Sequence, residues 1–477
     1  MRVSIGAVLD DALALVAIFE TIALGQLVFY PFSFYTVGSF AWYQAQAFRG
    51  LALVSPLLLV LLLYAWLAIL AVRVTRKHSV QLTNFVRALS EAVRGSDARS
   101  SSMETSVVLD HPRVLLIIAM AVGVLLGVLP YWPGLNPNGN VVGVDTPAYI
   151  NWTTQMLARP FPGAISYAFT QADSGFRPLP LILFYLIASL GISPQQTVEF
   201  SPIILGPLIS LSSYYFVKSG SGNRGAAAIS ALVACFSFNV TVGIWAGYLA
   251  NWLAMIIAYS FLAGFFLFER SQRKIILVPL FLLSVAMLLT HPWTWAMILA
   301  TTFVFGISRS RDRRKLLTIS STILTLSGVV VDFAKNQVVG STTLAADLGT
   351  KAPVFGISQF LMFWPNVWTS LTVFYDGLLG NVVFLGLSAL SFVAIRFREK
   401  LDGMLFCWVA CASVPFALLN SFHQTRLIYD LPIPPLAALG TLLLISRAGG
   451  GNLRATLILL VVLLFSANYA VGSIIQA

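Results

Sequence analysis

Long apolar runs alternate with short polar turns along almost the whole chain. Runs able to cross a bilayer, at about 20 residues each, fall near 12–34, 50–73, 114–130, 197–218, 225–242, 246–268, 275–290, 293–308, 315–333, 379–396, 403–420, 431–446 and 454–475. The pattern predicts an all-α protein, a polytopic transmembrane helical bundle of about 13 spans. A further run, Leu179 to Leu190, is short for a crossing and reads as an interfacial or re-entrant helix.

Leaving that run out of the count brings charge and topology into agreement. The basic clusters are Arg73, Arg76, Lys77, Arg87 and Arg94; Lys218 and Arg224; Arg270, Arg273 and Lys274; Arg309, Arg311, Arg313, Arg314 and Lys315; Arg396, Arg398 and Lys400; and Arg447 and Arg454. They then occupy every second connection, which places the N-terminus inside, the C-terminus outside and the protein in the cell membrane as a multi-pass chain. Residues 131–196, residues 334–378 and the turn Asn420 to Tyr429 gather on the extracytoplasmic face. The expected organisation is a two-helix transmembrane module over 1–73, a cytoplasmic amphipathic helix and linker over 74–111, and one integral domain over 112–477. Asp10, Asp11 and Glu20 interrupt the first apolar run, so it reads as a retained span rather than a cleaved signal.

Composition narrows the class. A chain of 477 residues that is 58% hydrophobic and 10% charged has far more apolar surface than a soluble core needs. Its net charge of +11 lies in the turns, where topology requires it, and so implies no nucleic acid. Cys235, Cys407 and Cys411 sit in apolar runs, with neither disulfide framework nor metal spacing.

The stretch from Asn138 to Pro178 is a long polar, aromatic loop set between expected spans, well beyond what joining two helices needs. Within it Asp145, followed by Thr146-Pro147, is placed to open a short helix, as a cap, as a catalytic acid, or as both. Tyr149, Trp152 and Met156 follow at spacings of three and four, which suits anchoring at a membrane interface; Tyr149 is also a candidate substrate contact. Asp173 and Arg177 stand four apart, spaced to pair with each other or to position substrate beside Asp145. His291, in Thr290-His291-Pro292-Trp293, is suited to a carbonyl freed by the proline or to a ligand. In Asn420 to Asp430, Arg426 needs an anionic partner, either Asp430 or a phosphate, and His423 is a candidate for the same site. Lys335 and Lys351 are further outer cations. Gly220-Ser-Gly222-Asn-Arg-Gly225 matches a dinucleotide fingerprint, but no strand precedes it and it reads as a turn.

Three segments together resemble the GT-C glycosyltransferases, a family that includes protein O-mannosyltransferases, aminoarabinose transferases and oligosaccharyltransferase catalytic subunits. They are Gly143-Val144-Asp145-Thr146-Pro147-Ala148-Tyr149, Arg177-Pro178-Leu179-Pro180-Leu181-Ile182-Leu183-Phe184-Tyr185, and Arg426-Leu427-Ile428-Tyr429-Asp430-Leu431-Pro432. The resemblance extends in topology over 112–477. It implies that Asp145 is the first-loop acid that activates an acceptor. It also implies that Arg426 is the late arginine beside a lipid phosphate, joined there by Arg177, Lys335 or His291. The donor would be a polyprenyl-phosphate-linked sugar held among membrane lipids, and the acceptor a protein, lipid or glycan on the extracytoplasmic face. No Asp-x-Asp pair stands beside Asp145, so no metal ligands and no cofactor are assigned. Two other classes fit such a composition: a lipid or solute transporter or flippase, and a non-catalytic subunit that meets a partner through residues 1–73.

Overall fold

In a computed structural model the chain parts into two compact units, residues 1–102 with 368–382, and residues 103–367 with 383–477. The structure describes residues 111–309, 311–340, 382–393, 395, 399–418, 430–447 and 452–475. The module expected over 1–73, the segment over 74–110, Glu20, and the 334–378 loop beyond Gly340 lie outside the described residues.

Every regular element among the described residues is helical. The first is α1 (Pro112–Val128), followed by a polar stretch that carries α2 (Thr146–Leu157), α3 (Phe161–Thr170), α4 (Pro178–Ala188) and α5 (Pro194–Glu199). Next come α6 (Ser201–Ser221), α7 (Arg224–Cys235), α8 (Phe238–Trp245), α9 (Leu249–Ser271), α10 (Leu277–Thr290), α11 (Pro292–Ser308) and α12 (Arg311–Val339). The last are α13 (Val382–Val393), α14 (Lys400–Leu418), α15 (Ile433–Arg447) and α16 (Asn452–Ile475). Pro112, Pro178, Pro194 and Pro292 open their helices, where a fixed φ and a missing N–H cost nothing.

Each expected span from 114 onward falls on helix. Among the described residues five stretches are long and apolar enough to cross a membrane: Pro112–Tyr131, Pro194–Ser221, Arg224–Trp245, Leu249–Ser271 and Arg313–Val339. The run expected as one span over 225–242 is two helices. Ser237 is extended at its ψ of 167 and its hydroxyl donates to the Ala234 carbonyl (2.7 Å), so a local side-chain bond competes with the helical ladder there. The glycine-rich match is a helix–helix turn. Gly222, at φ +74, ends α6, and the Asn223 side chain opens α7 by accepting from Ala226 N–H (2.9 Å).

At the centre α6 packs against α1, α7 and α9. It meets α1 where Gly206 faces Gly123, and a Cβ on Gly206 would lie 2.5 Å from the Gly123 carbonyl oxygen. Gly206→Ala is therefore expected to destabilise the protein by about 1–3 kcal/mol, the usual cost of overpacking. Thermal unfolding equal to the native protein's would show that the two helices part freely. Phe216 joins α6 to α9 and α14, with ring centroids 5.5 Å from Tyr259, 5.7 Å from Phe266 and 5.9 Å from Trp408.

The two ends of α9 are polar in different ways. At its start Asn251 meets Asp430, at the entrance to α15. Near its finish the buried Glu269 receives Arg309 and Lys400, each at 3.3 Å, and its backbone carbonyl accepts from Arg313. Gly220 packs on Phe266 and Leu401 at this same end. Residues from three of the basic turns thus converge on this end of α9. From residue 251 to 269 a helix rises roughly 27 Å, close to the thickness of a bilayer's hydrocarbon core.

Candidate functional site

The end of the bundle away from Glu269 is built around the α8–α9 junction. Asp145 N–H donates to the Ala246 carbonyl (2.9 Å), which fastens the loop to the junction. Two glycines permit the approach. A Cβ on Gly143 (φ +100) would lie 2.5 Å from Thr146 Oγ1, and one on Gly247 (φ +69) would lie 2.7 Å from the Thr146 nitrogen; both φ values are ones that glycine adopts without strain.

Asp145 holds the cap position of α2, yet its carboxylate makes no capping bond. One turn on, Tyr149 points inward, with its ring edge-on to Trp152 (5.5 Å) and Phe184 (5.8 Å). It is 1% exposed, so it is a packed floor beneath the acid rather than an interfacial anchor. Asp173 and Arg177 pair as their spacing predicts, Nε to Oδ2 at 3.3 Å. Asp173 sits at φ +47, a left-handed conformation uncommon outside glycine.

Asp145, Tyr149, Asp173 and Arg177 form one electrostatic group. Burial opposes the Arg177 charge, but Tyr149, Asp173 and Asp145 more than offset it, and the guanidinium is held as a firm cation. Burial pushes the Tyr149 phenol up; Arg177 opposes that rise, and the two acids add to it. The phenol therefore stays protonated. Among the described residues no three His, Cys, Asp or Glu side chains come together as a metal site; Asp173 pairs with Arg177, and Asp145 acts on it through its charge.

A second polar group lies at the same end. His291 caps α11, its Nδ1 accepting from Thr294 N–H (3.3 Å) and lying 2.6 Å from Thr294 Oγ1. Thr294 Oγ1 is 2.9 Å from Asp430 Oδ1, which also accepts from Asn251 Nδ2 (3.1 Å). Asp430 is fully buried and, among the described residues, its Oδ2 has no hydrogen-bond partner. Burial pushes this carboxyl up to about 7, against the pull of Thr294 and Asn251.

That shift has a sign in stability. A carboxyl raised from 3.8 to about 7 binds more protons folded than unfolded between those values. Its contribution therefore falls as pH rises through that window, and the full cost stands above it. Asp430→Asn is expected to remove this slope and to gain on the native protein toward alkaline pH. Thermal unfolding from about pH 5 to pH 8 reads it, and a native-to-variant difference that ignores pH would refute the assignment.

Solved structures that share this fold include two of one archaeal enzyme. The Archaeoglobus fulgidus oligosaccharyltransferase in the apo form aligns with TM-score 0.53 and 15% identity over 76% of this chain and 56% of that one. The same protein in complex with zinc and sulfate aligns with TM-score 0.50 and 16% identity over 76% and 53%. This chain thus matches little more than half the length of that enzyme, and at such identity the likeness is one of fold. No protein-family model matches the chain, and no curated protein matches it by sequence.

Of the sequence candidates, Asp145, Tyr149, Asp173 and Arg177 come together, and His291 stands in the second group. Lys335, expected in a loop, lies within α12 and pairs with Asp332 one turn back (3.1 Å). Arg426, His423 and Lys351 lie outside the described residues. Asp430, one of two partners expected for Arg426, is engaged by an amide and a hydroxyl among the described residues. Asn251 and Thr294 did not stand out in the sequence. Their one signal is a polar side chain within an otherwise apolar run, which in a membrane protein marks a buried contact.

Proposed function

We propose that the protein is a GT-C type glycosyltransferase. In this reading it moves a sugar from a polyprenyl-phosphate-linked donor to an acceptor at the extracytoplasmic face, with inversion. Asp145 carries the proposal: it is a carboxylate on backbone pinned to the α8–α9 junction, in one electrostatic group with Tyr149, Asp173 and Arg177, in a fold shared with an oligosaccharyltransferase. Sidedness is inferred from charge, because the basic turns converge at the opposite end of α9 and such turns face the cytoplasm.

Asp145 takes the acceptor's proton as the acceptor attacks C1 of the sugar. The C1–oxygen bond breaks and its electron pair leaves on the lipid phosphate. Arg177 sits where it can answer the growing negative charge, with Arg426, His291, Lys335 and His423 as further candidates for the donor's phosphate. Asp173 fixes the Arg177 guanidinium, and Tyr149 shapes the floor. The lipid tail lies between spans.

The test uses the purified chain in liposomes with radiolabelled polyprenyl-phosphate-linked sugars and a membrane extract as acceptor. Loss of donor with release of polyprenyl phosphate and label in the acceptor fraction is expected. A panel of such donors left intact would overturn the proposal. If Glu20 and the two-helix module mediate contact with a partner subunit, that partner co-purifies in fixed ratio.

A further inference from the structure

Three side chains with no part in the transfer chemistry meet across the bundle. Asn251 lies in the first turn of α9, Thr294 in the first turn of α11, and Asp430 just ahead of α15. Asp430 Oδ1 accepts from Asn251 Nδ2 at 3.1 Å and from Thr294 Oγ1 at 2.9 Å, and all three residues are buried. One carboxyl thus ties together the starts of three helices.

The same end of α9 carries the anchor of Asp145. Its N–H donates to the Ala246 carbonyl, and Gly247 and Tyr248 alone separate Ala246 from the start of α9. That turn holds itself weakly. Gly247 sits at φ +69, in a residue type that fixes little by itself, and its N–H reaches the Ile244 carbonyl only at 3.3 Å. The course of the turn is set instead by the residues that follow it. Trp252, fully buried, packs on Gly243, where a Cβ would lie 2.5 Å from its ring, and this fixes α8 against α9. Asn251 beside it fixes the start of α9 against those of α11 and α15, through Asp430.

We propose that Asn251, Asp430 and Thr294 are positioning residues, a buried clamp that sets the α8–α9 turn and, through it, the place of Asp145. Its consequence for chemistry rests on the reading of Asp145 as the base in the transferase proposed above; the link from clamp to turn does not. Apolar side chains could fill this interior as well, since exchanging a buried polar set for apolar residues of like volume is often neutral for stability. A polar set adds a single register, because an amide, a carboxyl and a hydroxyl satisfy one another in few arrangements. Register matters here: misplacing a reacting group by about 1 Å can cost on the order of a hundredfold in rate.

The test combines Asn251→Leu with Asp430→Leu in the full chain in liposomes. Both partners of the bond then become apolar at close to their native size, and Thr294 Oγ1 keeps His291 Nδ1 at 2.6 Å, so thermal unfolding is expected to match the native protein's. Amide hydrogen exchange at residue 145 reads the anchor bond whether or not sugar moves, and it is expected to rise at least about tenfold as the turn opens locally. Turnover with polyprenyl-phosphate-linked sugar reads the consequence: kcat is expected to fall by roughly ten- to a hundredfold, with KM for the donor near its native value. Asp430→Asn alone keeps an oxygen for both donors and is expected to rescue both readings to within about threefold of native. Native exchange at residue 145 in the double variant overturns the clamp, and so does faster exchange with native kcat. Equal damage in Asp430→Asn overturns it as well, because the linkage would then not be what matters. If the double variant fails to fold, Thr294→Val removes one donor with little change of shape, and exchange at residue 145 is expected to rise about threefold; a native value there overturns the clamp. A native chain that moves no sugar defeats the reading of Asp145 as base, and exchange at residue 145 then decides the clamp alone.

Discussion

Asp145→Asn is expected to cut sugar transfer by roughly a thousandfold, within the range that a single general base supplies, with the fold retained. The two side chains are nearly isosteric. The bond that anchors the loop to Ala246 is donated by the backbone N–H of residue 145, which the substitution retains, and the native carboxylate caps nothing, so no helix-start energy is lost. The loss therefore falls on the proton acceptor. A base acting only in the transition state lowers kcat and leaves KM for the lipid donor near its native value. Steady-state assays in liposomes separate the two constants. Transfer within about threefold of native would remove Asp145 from the chemistry.

Glu269→Gln is expected to cost about 3 kcal/mol of stability, at the low end for breaking a buried ion pair. The native carboxylate side chain is 0% exposed and receives both Arg309 and Lys400, whose side chains are 15% and 33% exposed. The amide removes the charge they share and leaves Arg309 in a nearly dry position. Lys400 keeps access to solvent, which sets the low end. Because Glu269 ties α9, α11 and α14 together, the loss appears in global thermal unfolding in detergent. Asp145 stands near the other end of α9, so transfer per folded molecule should stay native. A variant that unfolds with the native protein would mean that the cluster is solvated and idle.

Much of the helical layout was legible in the sequence. Each expected span after residue 111 falls on helix, because an apolar run of that length leaves the backbone no partners but its own. The Asp173–Arg177 pair was legible too, since four residues is one helical turn and a short turn brings such charges together. The break at Ser237 was not, because a single serine in an apolar run gives no warning that its hydroxyl will bond locally. The expected span 315–333 ends before Lys335, which puts that lysine in the 334–378 loop. In the folded chain the acid and the lysine neutralise each other, and α12 continues to Val339.

By itself the sequence determined which segments are helical, where prolines and glycines start and stop them, and that basic turns recur on alternate connections. Those properties depend on neighbours a few residues away, where propensity and local charge decide. Tertiary structure alone decided that Asp430, 136 positions beyond Thr294 and 179 beyond Asn251, meets both in a dry pocket. It also decided that Glu269 gathers cations from two other helices and that Asp145 is pinned to Ala246. Contacts of that range are set by how whole helices pack, and packing selects partners by shape and burial, which no short window of sequence encodes.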